Sequence, residues 1–221
     1  MIQTERLTLR PYEVADYDDY AAMVADPVVV RHAGAPMTGE EAWMRLLRFI
    51  GYWSVFGHGM FAVLDRTTGQ YIGETGFMDF RREVAPRLDS MPEAAWVFTS
   101  AAHGKGYAYE AAAAAHRWMD EHHAPPATQC MISPANQQSI RLAEKLGYVL
   151  HDRPHYRGGH ALHTRGLSVA FDSARAERMA ERMEVSAALY SQNSVQPERS
   201  RRPRPITSPV PTPAEPALNP A

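Results

Sequence analysis

The stretch that most constrains this chain runs from Ala94 to Met119. An apolar segment, Ala94-Ala95-Trp96-Val97-Phe98, leads into His103-Gly104-Lys105-Gly106-Tyr107-Ala108-Tyr109-Glu110, and five successive alanines at 111 to 115 follow. Two glycines in the order G-x-G between a strand and a helix let the backbone turn tightly and aim several N–H groups at one point. Alanine is the strongest helix former, so a helix is predicted to start near Ala108. Its positive dipole end then faces the same point as the loop amides, and a phosphate or pyrophosphate is the ligand that such an arrangement suits. Neither common phosphate loop is present: the G-x-x-x-x-G-K-[ST] spacing is missing, and Tyr109 stands where a dinucleotide fingerprint needs its third glycine.

Composition bounds what surrounds this stretch. The 221 residues suffice for one well-filled domain, and 45% hydrophobic with 22% charged residues is ordinary for a globular protein. A net charge of -2 gives no basic footprint for nucleic acid. The single cysteine, Cys130, excludes an internal disulfide and fits a reducing compartment, so a cytoplasmic location is expected. No apolar run is long enough for a membrane span, and Met1 to Arg6 lacks a signal peptide's apolar core.

Along the chain, Leu7 to Arg10 alternates as a short edge strand stopped by Pro11. Val14 to Val24 has helical spacing, ended by Asp26-Pro27. Thr38-Gly39-Glu40-Glu41 has capping-box spacing before a helix that places Trp43, Leu46, Leu47, Ile50 and Trp53 on one face. Phe61 to Leu64 and Tyr71 to Met78, joined by the polar turn 65–69, predict an antiparallel hairpin. The stretch from Arg81 to Pro92 reads as a loop. Glu93 to Thr99 is a strand buried on both faces, and with the following helix and Thr128 to Ser133 it makes a parallel pair with a crossover. Asn136 is an N-cap, Ile140, Leu142, Ala143 and Leu146 supply the apolar positions of a second helix, and Gly147 closes it. Tyr148 to Leu150 and Leu162 to Phe171 are the last predicted strands. Residues 173–191 favour a charged helical extension. Eight prolines between Pro197 and Pro220 make 192–221 a disordered or extended tail.

The loop H-G-K-G-Y-A-Y-E-A at 103–111 and N-Q-Q-S-I-R-L-A-E-K-L-G-Y at 136–148, in this order and spacing, resemble the GNAT superfamily of acyl-CoA-dependent N-acetyltransferases. R-L-T-L-R-P at 6–11 and Ile72-Gly73 are similar to its ribosomal-protein N-terminal acetyltransferase branch. The resemblance covers residues 2 to 171. It implies an α/β fold with a mixed, mostly antiparallel central sheet, splayed parallel strands and helices on both faces, forming a domain over residues 1–172. It also implies acetyl-CoA as cosubstrate. Val97, Phe98 and Thr99 would present main-chain groups to the pantetheine arm, the amides of Gly104, Lys105, Gly106, Tyr107 and Ala108 would hold the pyrophosphate, and Asn136 would touch the cofactor arm. His103 stands where the family usually has Gln or Arg, which changes a side-chain contact but leaves the backbone cradle.

Acyl transfer to an amine needs a neutral amine, a polarised carbonyl and a tolerable leaving group. Glu93, opening the central strand, is the first candidate base, and Glu74 on the neighbouring strand is the second. A backbone N–H at Val97 or Phe98 would serve the oxyanion. The family often places a tyrosine acid at the position of Ala143; here Ser139 is the remaining hydroxyl near the leaving thiolate, a role that a thiol's ease of departure makes undemanding. Glu110, in the first helical turn, is read as structural. Cys130 is read as a small buried residue, and the histidines lack metal-ligand spacing, so no metal site is expected. The expected partners are an acyl-CoA and an amine acceptor, without nucleic acid or membrane, with a homodimer left open. The alternative is a non-catalytic acyl-CoA sensor or scaffold that presents the proline-rich tail.

Overall fold

The computed structural model describes residues 1–82, 91–156 and 159–167. The helical extension and proline-rich tail, most of the 81–92 loop, the Arg157-Gly158 part of the last turn and the final residues of the last strand lie outside the described residues.

Among the described residues, ten strands and five α-helices follow one another as β1 (Ile2–Gln3), β2 (Leu7–Pro11), α1 (Tyr17–Ala25), α2 (Pro27–Val30), α3 (Gly39–Phe56), β3 (Met60–Asp65), β4 (Tyr71–Met78), β5 (Glu93–Phe98), α4 (Tyr107–His122), β6 (Ala127–Ile132), α5 (Gln137–Lys145), β7 (Val149–Asp152), β8 (His155–Tyr156), β9 (Gly159–His160) and β10 (Leu162–Leu167). Eight of the strands form one sheet in the order β1-β2-β3-β4-β5-β6-β10-β7, while β8 and β9 make a small hairpin. Every described pairing is antiparallel except β5 with β6, whose only ladder pair is Glu93 with Gln129. Beyond Glu93 the two parallel strands separate. The expected mixed sheet with a splayed pair is therefore the observed fold.

Strand alternation sends side chains to two cores. On β3, Phe61 and Val63 enter the core shared with α4 and α5, and Met60 and Ala62 enter the core under α1 and α3. The alanines of α4 explain themselves here. Ala111, Ala112, Ala114 and Ala115 are all buried, and small side chains let the helix lie close on the sheet.

Several expectations shift. β2 is not the edge, because β1 pairs with it at Ile2–Leu9 and Gln3–Thr8, leaving only its Arg10-Pro11 end uncovered on that side. α1 starts at Tyr17, because Val14–Asp16 form a 3₁₀ turn in which the Asp16 carboxylate accepts from the Glu13 amide and from Arg10. The capping box of α3 is present, but the buried face is Ala42, Leu46 and Phe49, while Trp43 and Leu47 are exposed. The large aromatics misled the pattern: size draws attention to Trp43, whereas the inward face is set by the 3.6-residue period through Leu46. α2, a single turn begun by Pro27 and capped by the Asp26 carboxylate, was not expected.

Candidate active site

At the open end of the splay β5 ends at Phe98, with one further bond to β4 from the Thr99 N–H to the Ile72 carbonyl (3.0 Å). A 3₁₀ turn, Ser100–Ala102, carries the chain into the glycine loop. Gly104 (φ +74°) and Gly106 (φ +80°) both adopt the left-handed region, and Gly106 is the N-cap of α4. Alternation of left-handed and ordinary residues forms a concave nest of amides. Among the described residues, the N–H groups of Gly104, Lys105, Gly106, Tyr107 and Ala108 make no well-formed hydrogen bond. Five successive donors thus remain unengaged on an exposed loop at a helix N-terminus, which fits a pyrophosphate.

The other predicted cofactor contacts are placed as follows. His103 folds back: its Nε2–H donates to the Phe98 carbonyl at 3.0 Å, so that carbonyl and the His103 side chain satisfy each other. Thr99 has spent its amide on β4 and its carbonyl on the Ala102 N–H (2.9 Å), leaving its side chain for any contact with the arm. Val97 and Phe98 lie opposite Glu74 and Gly73. Gly73 is required there, since a Cβ would stand 2.5 Å from the Val97 carbonyl. Asn136 caps α5, its Oδ1 accepting from the Ser139 N–H at 3.1 Å, which leaves its amide nitrogen for a ligand. The Ser139 hydroxyl accepts from the Trp96 indole N–H at 3.1 Å, across from β5 to α5, and keeps its own proton to donate. Ala143 is buried, so the position at which a tyrosine acid would be sought faces the core.

Both candidate bases sit on the face of the sheet toward α1 and α3. Glu93, at the closed end of the splay, is 4% exposed and held by Arg82, whose Nε lies 2.9 and 2.8 Å from its two carboxylate oxygens. Arg82 also donates to the Tyr156 hydroxyl (3.0 Å) and lies over the Phe80 ring. Burial raises the Glu93 pKa, and the Arg82 hydrogen bonds oppose that rise. Glu74 is fully buried. Its Oε2 accepts from the Tyr12 hydroxyl (2.9 Å), which shares a 2.6 Å hydrogen bond with Tyr71, and its Oε1 lies 3.6 Å from Arg45 with no hydrogen-bond donor among the described residues. Burial raises its pKa too, against the pull of Arg45 and Tyr12. Cys130 hydrogen-bonds Thr164, and burial pushes its thiol up to about 12, so it is no nucleophile. Among the described residues no cluster of three or more potential ligands could hold a metal ion, and no helix is long and apolar enough to cross a membrane.

The sequence matches the acetyltransferase (GNAT) domain family over residues 6–149. The chain belongs to the GNAT acetyltransferases. A protein described as a GnaT-family acetyltransferase from Bordetella pertussis is similar at 33% identity, over 75% of this chain and 98% of that one, with a TM-score of 0.68. Two more distant structures share the fold. Ribosomal-protein-S5-alanine acetyltransferase from Vibrio fischeri is 18% identical over 77% of this chain and 98% of that one, with a TM-score of 0.60. Spermidine N-acetyltransferase from Vibrio cholerae, solved with CoA and spermine, is 15% identical over 75% of this chain and 97% of that one, also with a TM-score of 0.60.

For a GNAT acetyltransferase the donor is acetyl-CoA, and the unengaged amides of 104–108 fit its pyrophosphate. The sequence did not reveal Arg82, Tyr12, Tyr71 or Arg45 as parts of this site. Their partners lie 11 to 62 positions away along the chain, and no spacing rule joins them.

Proposed function

We propose that this protein transfers the acetyl group of acetyl-CoA to a primary amine, either a protein N-terminus or a small-molecule amine, by direct attack in a ternary complex. The observation that carries the reading is the row of five open amides between two left-handed glycines, placed where the splayed strands end. Acetyl-CoA supplies an activated thioester whose leaving group departs readily. The chain's part is to hold it, to admit the amine and to move protons. The amides of Gly104 to Ala108 would bind the pyrophosphate, and backbone groups of Val97 and Phe98 with the Asn136 amide would line the arm. The cradle lies beyond Phe98 and the splay closes at Glu93, so the arm would run along β5 toward that carboxylate. Glu93 is then the base we favour: burial raises its pKa against the pull of Arg82, which makes it a stronger base for taking the ammonium proton directly or through a water. Ser139, its oxygen accepting from Trp96, would hydrogen-bond the leaving thiolate through its hydroxyl proton. Glu74 is the alternative base.

Glu93→Gln tests the assignment. The expected outcome is unchanged acetyl-CoA affinity with kcat lowered about 100-fold or more, the range that a general base contributes. Full turnover in this variant would move the role to Glu74. Wild-type protein that binds acetyl-CoA without releasing thiol for any amine or N-terminal peptide would favour a sensor.

A further inference from the structure

The start of the chain grips the glycine loop through one side chain. Arg6, just before β2, donates from Nε to Glu110 Oε2 at 2.7 Å and from its backbone N–H to Glu110 Oε1 at 2.9 Å. Its Nη1 donates to the Lys105 carbonyl at 3.0 Å, and its guanidinium carbon lies 4.6 Å from the centre of the Tyr107 ring. The Thr4 hydroxyl completes the set by donating to Glu110 Oε1 at 2.6 Å. Arg66 anchors the same segment, its side chain donating to the Thr4 carbonyl at 2.8 Å, and among the described residues it forms no hydrogen bond or ion pair with the loop.

These contacts meet two needs of an anion cradle. Lys105 lies between the two left-handed glycines, and its carbonyl is the group whose negative end would oppose an anion if the loop flipped. Arg6 holds that carbonyl, which fixes the Lys105–Gly106 peptide plane and so the direction of the Gly106 N–H at the centre of the loop. Glu110 stands in the first turn of α4, four residues beyond Gly106. A carboxylate there is favourable to the helix dipole but repels a second anion at the same end. Burial would raise its pKa, yet the hydrogen bonds from Thr4 and Arg6 overcome this and lower it, so it is ionised whenever the ligand binds. The guanidinium cancels that charge at contact distance.

Resting on the reading of residues 103–108 as the pyrophosphate site, we infer that Arg6 is a positioning residue for the acetyl-CoA cradle, fixing the Lys105 carbonyl and neutralising Glu110, and that Glu110 is its tether.

Calorimetric titration of the full chain with acetyl-CoA, paired with steady-state kinetics, tests this. Arg6→Ala is expected to raise Kd and KM for acetyl-CoA about 10-fold, the size of one lost charge-assisted hydrogen bond, with kcat at saturation unchanged. Adding Glu110→Gln to Arg6→Ala should recover part of that loss, since it removes the uncompensated charge; a purely structural strap would lose more. Arg6→Lys, which keeps the charge but cannot reach Glu110 and Lys105 together, should fall between wild type and Arg6→Ala and serves should the alanine variant not fold. Arg66→Ala loosens the same segment and should leave Kd within twofold. The inference is overturned if Arg6→Ala and Arg6→Lys bind acetyl-CoA as wild type does, or if Arg66→Ala weakens binding as much as Arg6→Ala. Failure of the wild type itself to bind would instead remove the underlying reading of the loop.

Discussion

The proposed cradle and the two candidate carboxylates are built on opposite plans. At residues 103–108 the groups on offer are backbone amides on an exposed loop, shaped by the left-handed Gly104 and Gly106 and held from outside by Arg6. At Glu93 and Glu74 they are buried carboxylates, each with an arginine from elsewhere in the chain: Arg82 beside one, Arg45 beside the other. Charge pairs occur at both ends, but their surroundings differ. Arg6 and Glu110 meet in view of solvent, with 42% and 18% of their side chains exposed, whereas Glu93 retains 5%. Exposed pairs add little stability because water screens them, and breaking a buried one leaves a charge that nothing solvates.

That contrast is open to direct challenge, most forcibly at Arg82. Arg82→Ala is expected to cost about 3–5 kcal/mol, lowering Tm by about 10 °C or more for a chain of this size, because Glu93 is left buried without its partner. Arg6→Ala should lower Tm far less, in differential scanning calorimetry under the same conditions. Equal losses would erase the distinction between the two ends. A smaller effect is expected at Gly106→Ala. A side chain in the left-handed region costs about 1–2 kcal/mol, which the loop can avoid by turning its amides away, so acetyl-CoA affinity should fall about 10-fold by titration while Tm moves little.

The smallest effect is also the sharpest, a difference in the sign of pH dependence. Glu74 has a folded-state pKa raised above its ordinary 4.5, so it binds its proton more tightly when folded, and the associated stability is full below that value and lost as pH rises through the raised one. Glu110 has a lowered pKa, so its contribution is full above 4.5 and lost as pH falls through the folded value. Glu74→Gln should therefore gain Tm relative to wild type as pH rises from about 4 to about 8, and Glu110→Gln should lose Tm relative to wild type as pH rises from about 3 to about 5. Two slopes of the same sign would contradict the burial argument.

The same division explains what could be read in the sequence. G-x-G before five alanines announces itself because backbone sites are encoded by neighbours: the glycines, the helix former and the strand adjoin one another, as do Asn136, Ser139 and Gly147 in α5. The order of strands around β5 was likewise visible from alternation and the crossover. Glu93 and Glu74 could be proposed from resemblance, but nothing local shows that Arg82 clasps the first or that Tyr12 and Arg45 close around the second. Those contacts arise only when β4, β5 and α3 are brought together. His103 illustrates the limit within the readable part: its place in the loop was evident, and its turn toward the Phe98 carbonyl was not. Trp43 and Leu47 show the same at α3, where apolar character was legible and its direction was not.

The central claim is that the five open amides bind the pyrophosphate of a donor whose acetyl group this chain passes to an amine. Titration of wild type and Gly106→Ala with acetyl-CoA, with free thiol measured in the same samples against a panel of amines and N-terminal peptides, tests it most directly. The expected result is saturable one-to-one binding weakened about 10-fold by the glycine substitution, with thiol released only when a productive amine is present. Absence of heat in the wild type, or binding that Gly106→Ala leaves untouched, would contradict the assignment of the loop.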